Sequence, residues 1–318
     1  MKKNKSEEKV ALFIQQHQLL NARTRVIVGL SGGPDSVCLA LMLHRLGYEV
    51  IAAHANFHLR GEESMRDEKF VETLCLQYGI AYRKADFDTV AYAKEKKVSI
   101  EMAARDLRYA WFGELCTQEG FDCVAVAHNA DDNAETFFLN LLRGTGTRGL
   151  RGMGDRGLVV RPLLGISREQ IRIWMEQRGL SWREDSSNAS SAYKRNRLRH
   201  EVIPVLKEMN PSLLQSLGRT MEHIRQTDDI AEDYFLKARQ TVCSGSMISI
   251  RALLALEHPR YVLFRLTEPV GLTETALDNL WDLLEAGRQV GGRVFYGNGG
   301  CVRGLPKWRL EIILDKTC

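Results

Sequence analysis

The sequence predicts an α/β protein, a doubly wound and mostly parallel sheet followed by a smaller helical C-terminal domain. Three observations carry this. From Arg25 to about Leu163, short apolar runs alternate with longer stretches of helical period. The first run passes through a Gly-Gly turn straight into a helix. After Asn210-Pro211 the pattern changes to long amphipathic helices. The domains are therefore expected at 1–210 and 211–318.

The runs RVIVGL (25–30), YEVIAAHA (48–55), IAYRKA (80–85) and DCVAVAH (122–128) read as buried parallel strands. Helices are expected between them at about 35–46, 64–78, 99–118 and 131–143. Such sheets bind ligands at the carboxyl ends of their strands, which is where Ser31, His54 and His128 fall. A Gly-rich stretch, 144–157, leads to VVRPLL (159–164), and Ser167 with Gln170 forms a capping box opening the next helix. Beyond the polar segment 181–200, helices are expected at about 212–241 and 273–286, with Leu213, Leu214, Leu217, Leu280, Trp281, Leu283 and Leu284 in the core. GGRVFYG and KWRLEIIL close the chain as short strands.

Composition narrows the class. Among 318 residues, 44% are hydrophobic and 26% charged, and the net charge is +4, so a nucleic-acid partner would have to meet a local basic patch. The seven cysteines form no Cys-x-x-Cys pair, which argues against a disulfide framework or a zinc or iron–sulfur site. No signal-peptide pattern and no membrane-length apolar run is present, so a cytoplasmic location is expected.

The decisive stretch is VIVGL followed by Ser31-Gly32-Gly33-Pro34-Asp35-Ser36 and the helix VCLALMLHRL. The Gly-Gly turn lets backbone approach an anion, and the helix start directs amide N–H groups and the positive dipole end at it. Ser31 and Ser36 add hydroxyls, and Asp35 offers a carboxylate suited to Mg²⁺. The lysine of a Walker A loop is missing. Two G-x-G-x-x-G matches, Gly144/146/149 and Gly152/154/157, lack the strand before and helix after that a dinucleotide fingerprint needs. They read better as a loop that moves over substrate.

The second strand end carries His54 and His58, with no third ligand nearby to make a metal site. Arg105 and Arg108 share a helix whose charged face is either solvated or a phosphate clamp. At the fourth strand end, His128-Asn129-Ala130-Asp131-Asp132-Asn133-Ala134-Glu135 gathers a histidine and three carboxylates at a helix start. Capping accounts for one or two of those acids, at about 0.3–1 kcal/mol each, but calls for neither the histidine nor the paired Asp.

SGGPDS resembles the signature of the ATP pyrophosphatase (PP-loop) superfamily, of adenine nucleotide alpha hydrolase-like fold, whose members split ATP into AMP and pyrophosphate. The ordered set SGGPDS, HANFHLRGEES, EMAARDLRYAWF, AHNADDNAETFFLNLLRGTG, RPLL and EDSSN…YKRNRLRHEVIP, over about residues 25–210, closely resembles tRNA(Ile)-lysidine synthetase. That resemblance implies an ATP- and Mg²⁺-dependent ligase acting on tRNA(Ile) with a CAU anticodon and free L-lysine. The wobble cytidine would be adenylated, and the lysine amine would then displace AMP.

By the same resemblance, Ser31, Gly32, Gly33, Pro34, Asp35, Ser36 and His54 would hold ATP. Asp35 with Asp131 or Asp132 would hold Mg²⁺, and Arg105 would face the ATP phosphates. His128 and Asp132 would face the cytosine, Arg195 and Arg197 the tRNA or the intermediate, and Glu135 would bind or deprotonate the lysine amine. The C-terminal helices would dock tRNA, and a homodimer is compatible with the family. Phe57 stands where many relatives carry a second histidine. Longer members have a further C-terminal domain, whereas this chain ends at Cys318. A PP-loop tRNA sulfur-transfer enzyme is the competing reading.

Overall fold

The structure is a computed structural model that describes residues 4–154, 157–183 and 193–314. It divides into two compact units, Met1–Ile224 and Arg225–Cys318. The first unit begins with α1 (Lys5–Gln16), β1 (Arg25–Gly29), α2 (Pro34–Arg45), β2 (Glu49–Asn56), α3 (Glu62–Tyr78) and β3 (Ala81–Asp86). It continues with α4 (Thr89–Lys96), α5 (Ile100–Glu119), β4 (Cys123–Ala125), α6 (Ala130–Arg143), α7 (Thr147–Leu150) and β5 (Val159–Val160). Then come α8 (Arg168–Glu176), α9 (Tyr193–Arg197), a π-helical turn Leu198–Val202 and α10 (Ile203–Met209). The division between units falls inside α11 (Leu213–Val242), while Asn210 lies between α10 and α11.

The sheet order is β3-β2-β1-β4-β5, parallel throughout. The chain builds outward from β1 to β3 and then crosses to β4 on the other side. The switch point is therefore between β1 and β4, where a crevice opens at the carboxyl ends. Alternation along β1 serves both faces. Val26 and Val28 join the core formed with α1, α2 and α8, and Ile27 joins the core under Phe112 and Leu115 of α5. Helix α2 is buried from Ser36 to Leu43, which explains its continuous apolar run.

Several elements differ from expectation. IAYRKA, read as a buried strand, is the sheet edge, and Arg83 and Lys84 lie exposed on it. Charged side chains there protect an unpaired edge from other strands. Helices α1 and α4 were not anticipated. The Gly-rich stretch contains the short α7, and α6 before it and β5 after it rule out a dinucleotide fingerprint. The Ser167–Gln170 capping box forms as expected. Residues 184–192, which carry EDSSN, lie outside the described residues.

The second unit adds β6 (Cys243–Ser244), β7 (Met247–Ser249), α12 (Ile250–Leu254), α13 (Pro259–Thr267), α14 (Glu274–Glu285), β8 (Val294–Gly297), β9 (Gly300–Leu305) and β10 (Arg309–Leu314). Its strands form an antiparallel sheet ordered β6-β7-β10-β9-β8. Leu280, Trp281 and Leu284 are core residues, whereas Leu213, Leu214, Leu217 and Leu283 are half-buried. No described helix is long and apolar enough to cross a membrane.

Helix α1 is fastened by one carboxylate. Glu7, 3% exposed, accepts from Arg45 Nε at 2.9 Å, Arg178 Nη2 at 2.8 Å and Trp174 Nε1 at 3.2 Å. Burial opposes its ionised form but is outweighed by the Asn4 backbone N–H, Arg45, Trp174 and Arg178, so its pKa is lowered. The stabilisation is therefore present above the unfolded pKa and is lost as pH falls through the lowered value. Glu7→Ala should cost roughly 3 kcal/mol in urea denaturation, the low end for a broken buried pair, because Arg45 keeps a third of its side chain in water.

Candidate active site

The phosphate loop closes on itself through hydroxyls. Gly33 N donates to Ser31 Oγ at 3.4 Å, the two seryl oxygens lie 3.1 Å apart, and Ser36 Oγ donates to Gly33 O at 3.0 Å. Only one proton arrangement satisfies all three, with Ser31 Oγ donating to Ser36 Oγ. Ser31 N also donates to Ser36 Oγ at 3.2 Å. Gly32 sits at φ +92°, where a side chain would be strained, and Pro34 starts α2 at a position that needs no amide donor. The loop thus presents the first turn of α2 to the crevice.

Asn129 joins the two strand ends. Fully buried, it caps α6 by accepting from Asp132 N at 3.1 Å, while its Nδ2 donates to Asp35 Oδ2 at 3.2 Å. The other oxygen, Asp35 Oδ1, is buried with no hydrogen-bond partner among the described residues. Burial, then the neighbouring Asp132 carboxylate, pushes the Asp35 carboxyl up to about 6, against pull from Arg168. Burial likewise raises Asp132, whose Oδ1 accepts from Arg168 Nη2 at 2.8 Å.

His128 stands beside this junction. Burial and then the positive field of Arg161, Arg195, Arg105 and Arg108 lower its pKa to about 4. Arg161 Nε donates to His128 Nδ1 at 3.2 Å, so the neutral ring carries its proton on Nε2 and offers a donor there. His54, expected at the nucleotide, is 5% exposed; its Nδ1–H donates to Leu30 O at 2.8 Å, and burial lowers its pKa. A carbonyl only accepts, which fixes that tautomer and makes His54 a brace behind the loop.

Glu135 is completely buried and gripped by arginines. Arg199 holds it with both Nε at 2.8 Å and Nη2 at 3.0 Å, Arg168 approaches at 3.4 Å, and Arg195 Nε lies 3.0 Å away without alignment to donate. Arg195 Nη2 donates instead to Thr136 Oγ1 at 3.1 Å. One turn earlier on α6, Asp131 accepts from Lys207 Nζ at 2.7 Å and from Arg168 N at 2.8 Å.

These placements redistribute the expected roles. The structure brings Asp132 near Asp35 of the loop, with His128 one residue before the Asn129 that joins the two helix starts. It does not bring Asp131 or Glu135 forward as open ligands, since both are buried in ion pairs. Arg197 is exposed and pairs with Glu201 at 3.0 Å, and Arg105 is exposed with its guanidinium over Tyr109. Sequence reasoning passed over Asn129, Arg161, Arg168, Arg199 and Lys207. The Asn129-x-x-Asp132 spacing of a capping box and the four-residue step from Arg195 to Arg199 were signals within reach.

A phosphate-directed strand–loop–helix at the switch point of this parallel sheet defines a nucleotide-using domain of PP-loop type. A family model described as the PP-loop domain matches residues 2–206. The tRNA(Ile)-lysidine synthase of Parabacteroides distasonis is 44% identical over 291 residues, covering 91% of this chain and 66% of that protein. The enzyme of that name from Chlorobaculum tepidum is 40% identical over 239 residues, covering 72% and 71% respectively. Among solved structures, U34-tRNA thiolase NcsA from Methanococcus maripaludis superposes with a TM-score of 0.60 at 20% identity, over 69% of this chain and 78% of that one, a likeness of fold. The chain belongs to the tRNA(Ile)-lysidine synthase family of PP-loop, ATP-using proteins. It spans 62–66% of the length of the curated relatives it matches first.

Two outcomes follow from the site electrostatics. The folded Asp35 carboxyl keeps its proton up to about pH 6, whereas the unfolded one releases it near 3.8, so the folded state loses stability as pH rises through that window. Asp35→Asn should stabilise the ligand-free protein by about 1–3 kcal/mol at neutral pH in urea denaturation. For His128, imidazole NMR shifts should stay flat down to about pH 5, and Arg161→Gln should move the titration upward toward the ordinary histidine range.

Proposed function

We propose that the protein ligates L-lysine to the wobble cytidine of CAU-anticodon tRNA(Ile), forming lysidine with release of AMP and pyrophosphate. The observation that carries the chemistry is the Asn129 bridge, which ties the α6 start, one residue after the neutral His128, to a loop carboxylate, Asp35, whose other oxygen has no partner among the described residues. Family membership supplies the substrate class.

In this reading the loop amides and the α2 dipole receive the ATP phosphates. Asp35 Oδ1 and Asp132 are hard oxygen donors, and the orphaned, desolvated Asp35 oxygen fits a divalent cation. Bound there, Mg²⁺ would neutralise charge building on the departing pyrophosphate. His128 Nε2–H is a donor for the cytosine carbonyl oxygen, which would become the bridging oxygen of the adenylate and leave with AMP, and a pKa near 4 keeps the ring a neutral donor at working pH.

The amine of lysine is mostly protonated near neutrality and must lose a proton before it attacks. Asp132 is held on both oxygens, by Arg168 and by the Asn129 N–H, and Glu135 is gripped by arginines, so neither is a free base for that proton. Glu135 instead orients Arg195 and Arg199. Arg105 and Arg197, both exposed, are suited to RNA phosphates. The reading places the protein in the cytoplasm with its tRNA.

Sulfur transfer is the less supported alternative. Burial raises the thiols of Cys38, Cys75, Cys116 and Cys243, the reverse of what thiolate chemistry requires.

The test is ATP-dependent transfer of labelled lysine onto a CAU-anticodon isoleucine tRNA transcript, with methionine tRNA as control. Lysine in acid-insoluble RNA with AMP release is expected; AMP without lysine transfer would remove the proposed acceptor. Asp35→Ala should abolish AMP formation. Arg195→Ala with Arg199→Ala should lower lysine transfer at least about a hundredfold, because Glu135 would be left as a buried, under-paired charge in the catalytic helix.

A further inference from the structure

The phosphate loop is supported from behind by a contact that the reaction above leaves unused. Gly32 O points away from the crevice and accepts from the backbone N–H of Arg183 at 2.9 Å. The Arg183 side chain runs along the loop, so that a Cβ on Gly32 would lie 3.6 Å from Arg183 Cγ and 3.4 Å from Val71 Cγ2. Its guanidinium ends on Asp67 of α3, with Arg183 Nε donating to Oδ1 at 3.0 Å. Arg60 Nη2 donates to the other oxygen of Asp67, also at 3.0 Å. Asp67 is 7% exposed and held on both oxygens, which fixes the acceptor, while the Arg183 side chain keeps 40% of its surface in water.

The physical need for such an anchor lies in the two glycines. They allow the backbone to approach an anion, but they also give the 32–33 peptide the lowest resistance to flipping of any pair in the loop. A trans peptide is planar, with its C=O and N–H pointing in opposite directions. Holding Gly32 O on Arg183 therefore directs Gly33 N–H back into the loop, where it meets Ser31 Oγ.

We propose that Arg183, held by Asp67, is a positioning residue that sets the Gly32–Gly33 peptide to receive the pyrophosphate portion of ATP. The proposal rests on the phosphate-loop reading of Ser31–Ser36. Arg183 touches no substrate; it acts through the peptide it holds.

The test is calorimetric binding of inorganic pyrophosphate and of ATP, each with Mg²⁺, to the full chain and its variants. Arg183→Ala and the near-isosteric Asp67→Asn should each weaken pyrophosphate binding about tenfold, and the double variant should be little worse than either alone. Arg183→Lys should recover part of the loss. The KM for lysine should stay unchanged, and Arg66→Ala, which removes an exposed pair with Glu62 on the same helix, should bind pyrophosphate as the parent does. Unchanged pyrophosphate affinity in a folded Asp67→Asn or Arg183→Ala protein overturns the proposal. Equal losses for pyrophosphate and lysine do so as well, because they would mark a general disturbance of the fold. If the parent protein binds neither ATP nor pyrophosphate, the phosphate-loop reading itself falls.

Discussion

One buried amide holds the site together. Asn129 closes the start of α6 and, with the same side chain, reaches across to Asp35 at the start of α2. Two helices that leave neighbouring strands are thereby tied at their first turns, each pointing its positive end into one crevice. An aspartate there could cap α6, but it would add a further negative charge beside Asp35 and Asp132. An alanine would leave the helix start uncapped and both Asp35 oxygens without a partner. The residue type follows from having to accept from one neighbour and donate to the other.

That junction accumulates carboxylates, and basic side chains from the rest of the first unit pair with them. Arg168, Arg195, Arg199 and Lys207 arrive from α8 and from the α9–α10 region to meet Asp131, Asp132 and Glu135. Asp35 has no such ion pair among the described residues. It is desolvated, lies near Asp132, and is only partly compensated by more distant arginines. A protein selected for stability alone would not keep such a group. A site that must capture a cation and an anionic nucleotide has reason to.

The fold was legible because strand–helix alternation and the Gly-Gly turn are local patterns that tertiary packing does not override here. The motif residues Asp35, His128 and Asp132 were legible for the same reason, since each lies at a strand end. What escaped reading depends on distant partners. Nothing local to Arg168 or Lys207 says that they face α6, and Arg197 looks as suited to the site as Arg199 until the helix direction is known. The edge position of β3 was within reach, because the adjacent charges Arg83 and Lys84 fall in the middle of the run, on opposite faces, where a buried strand would carry apolar side chains. Glu135 looked like an open carboxylate because a sequence lists charges without their counterions.

The π-helical turn Leu198–Val202 carries a consequence for deletions. A π turn accommodates one more residue than the α-helical turn it replaces. Arg199 lies within it, and Lys207 lies beyond it on α10. Removing one residue from this turn would let it relax to α geometry with the helix beyond it kept in nearly the same phase, because a π turn absorbs its extra residue. Lys207 would stay on Asp131 and Arg195 on Thr136, and the change would fall on the turn that carries Arg199. A one-residue deletion within Leu198–Val202 therefore spares the Lys207–Asp131 pair and removes the two-pronged hold of Arg199 on Glu135.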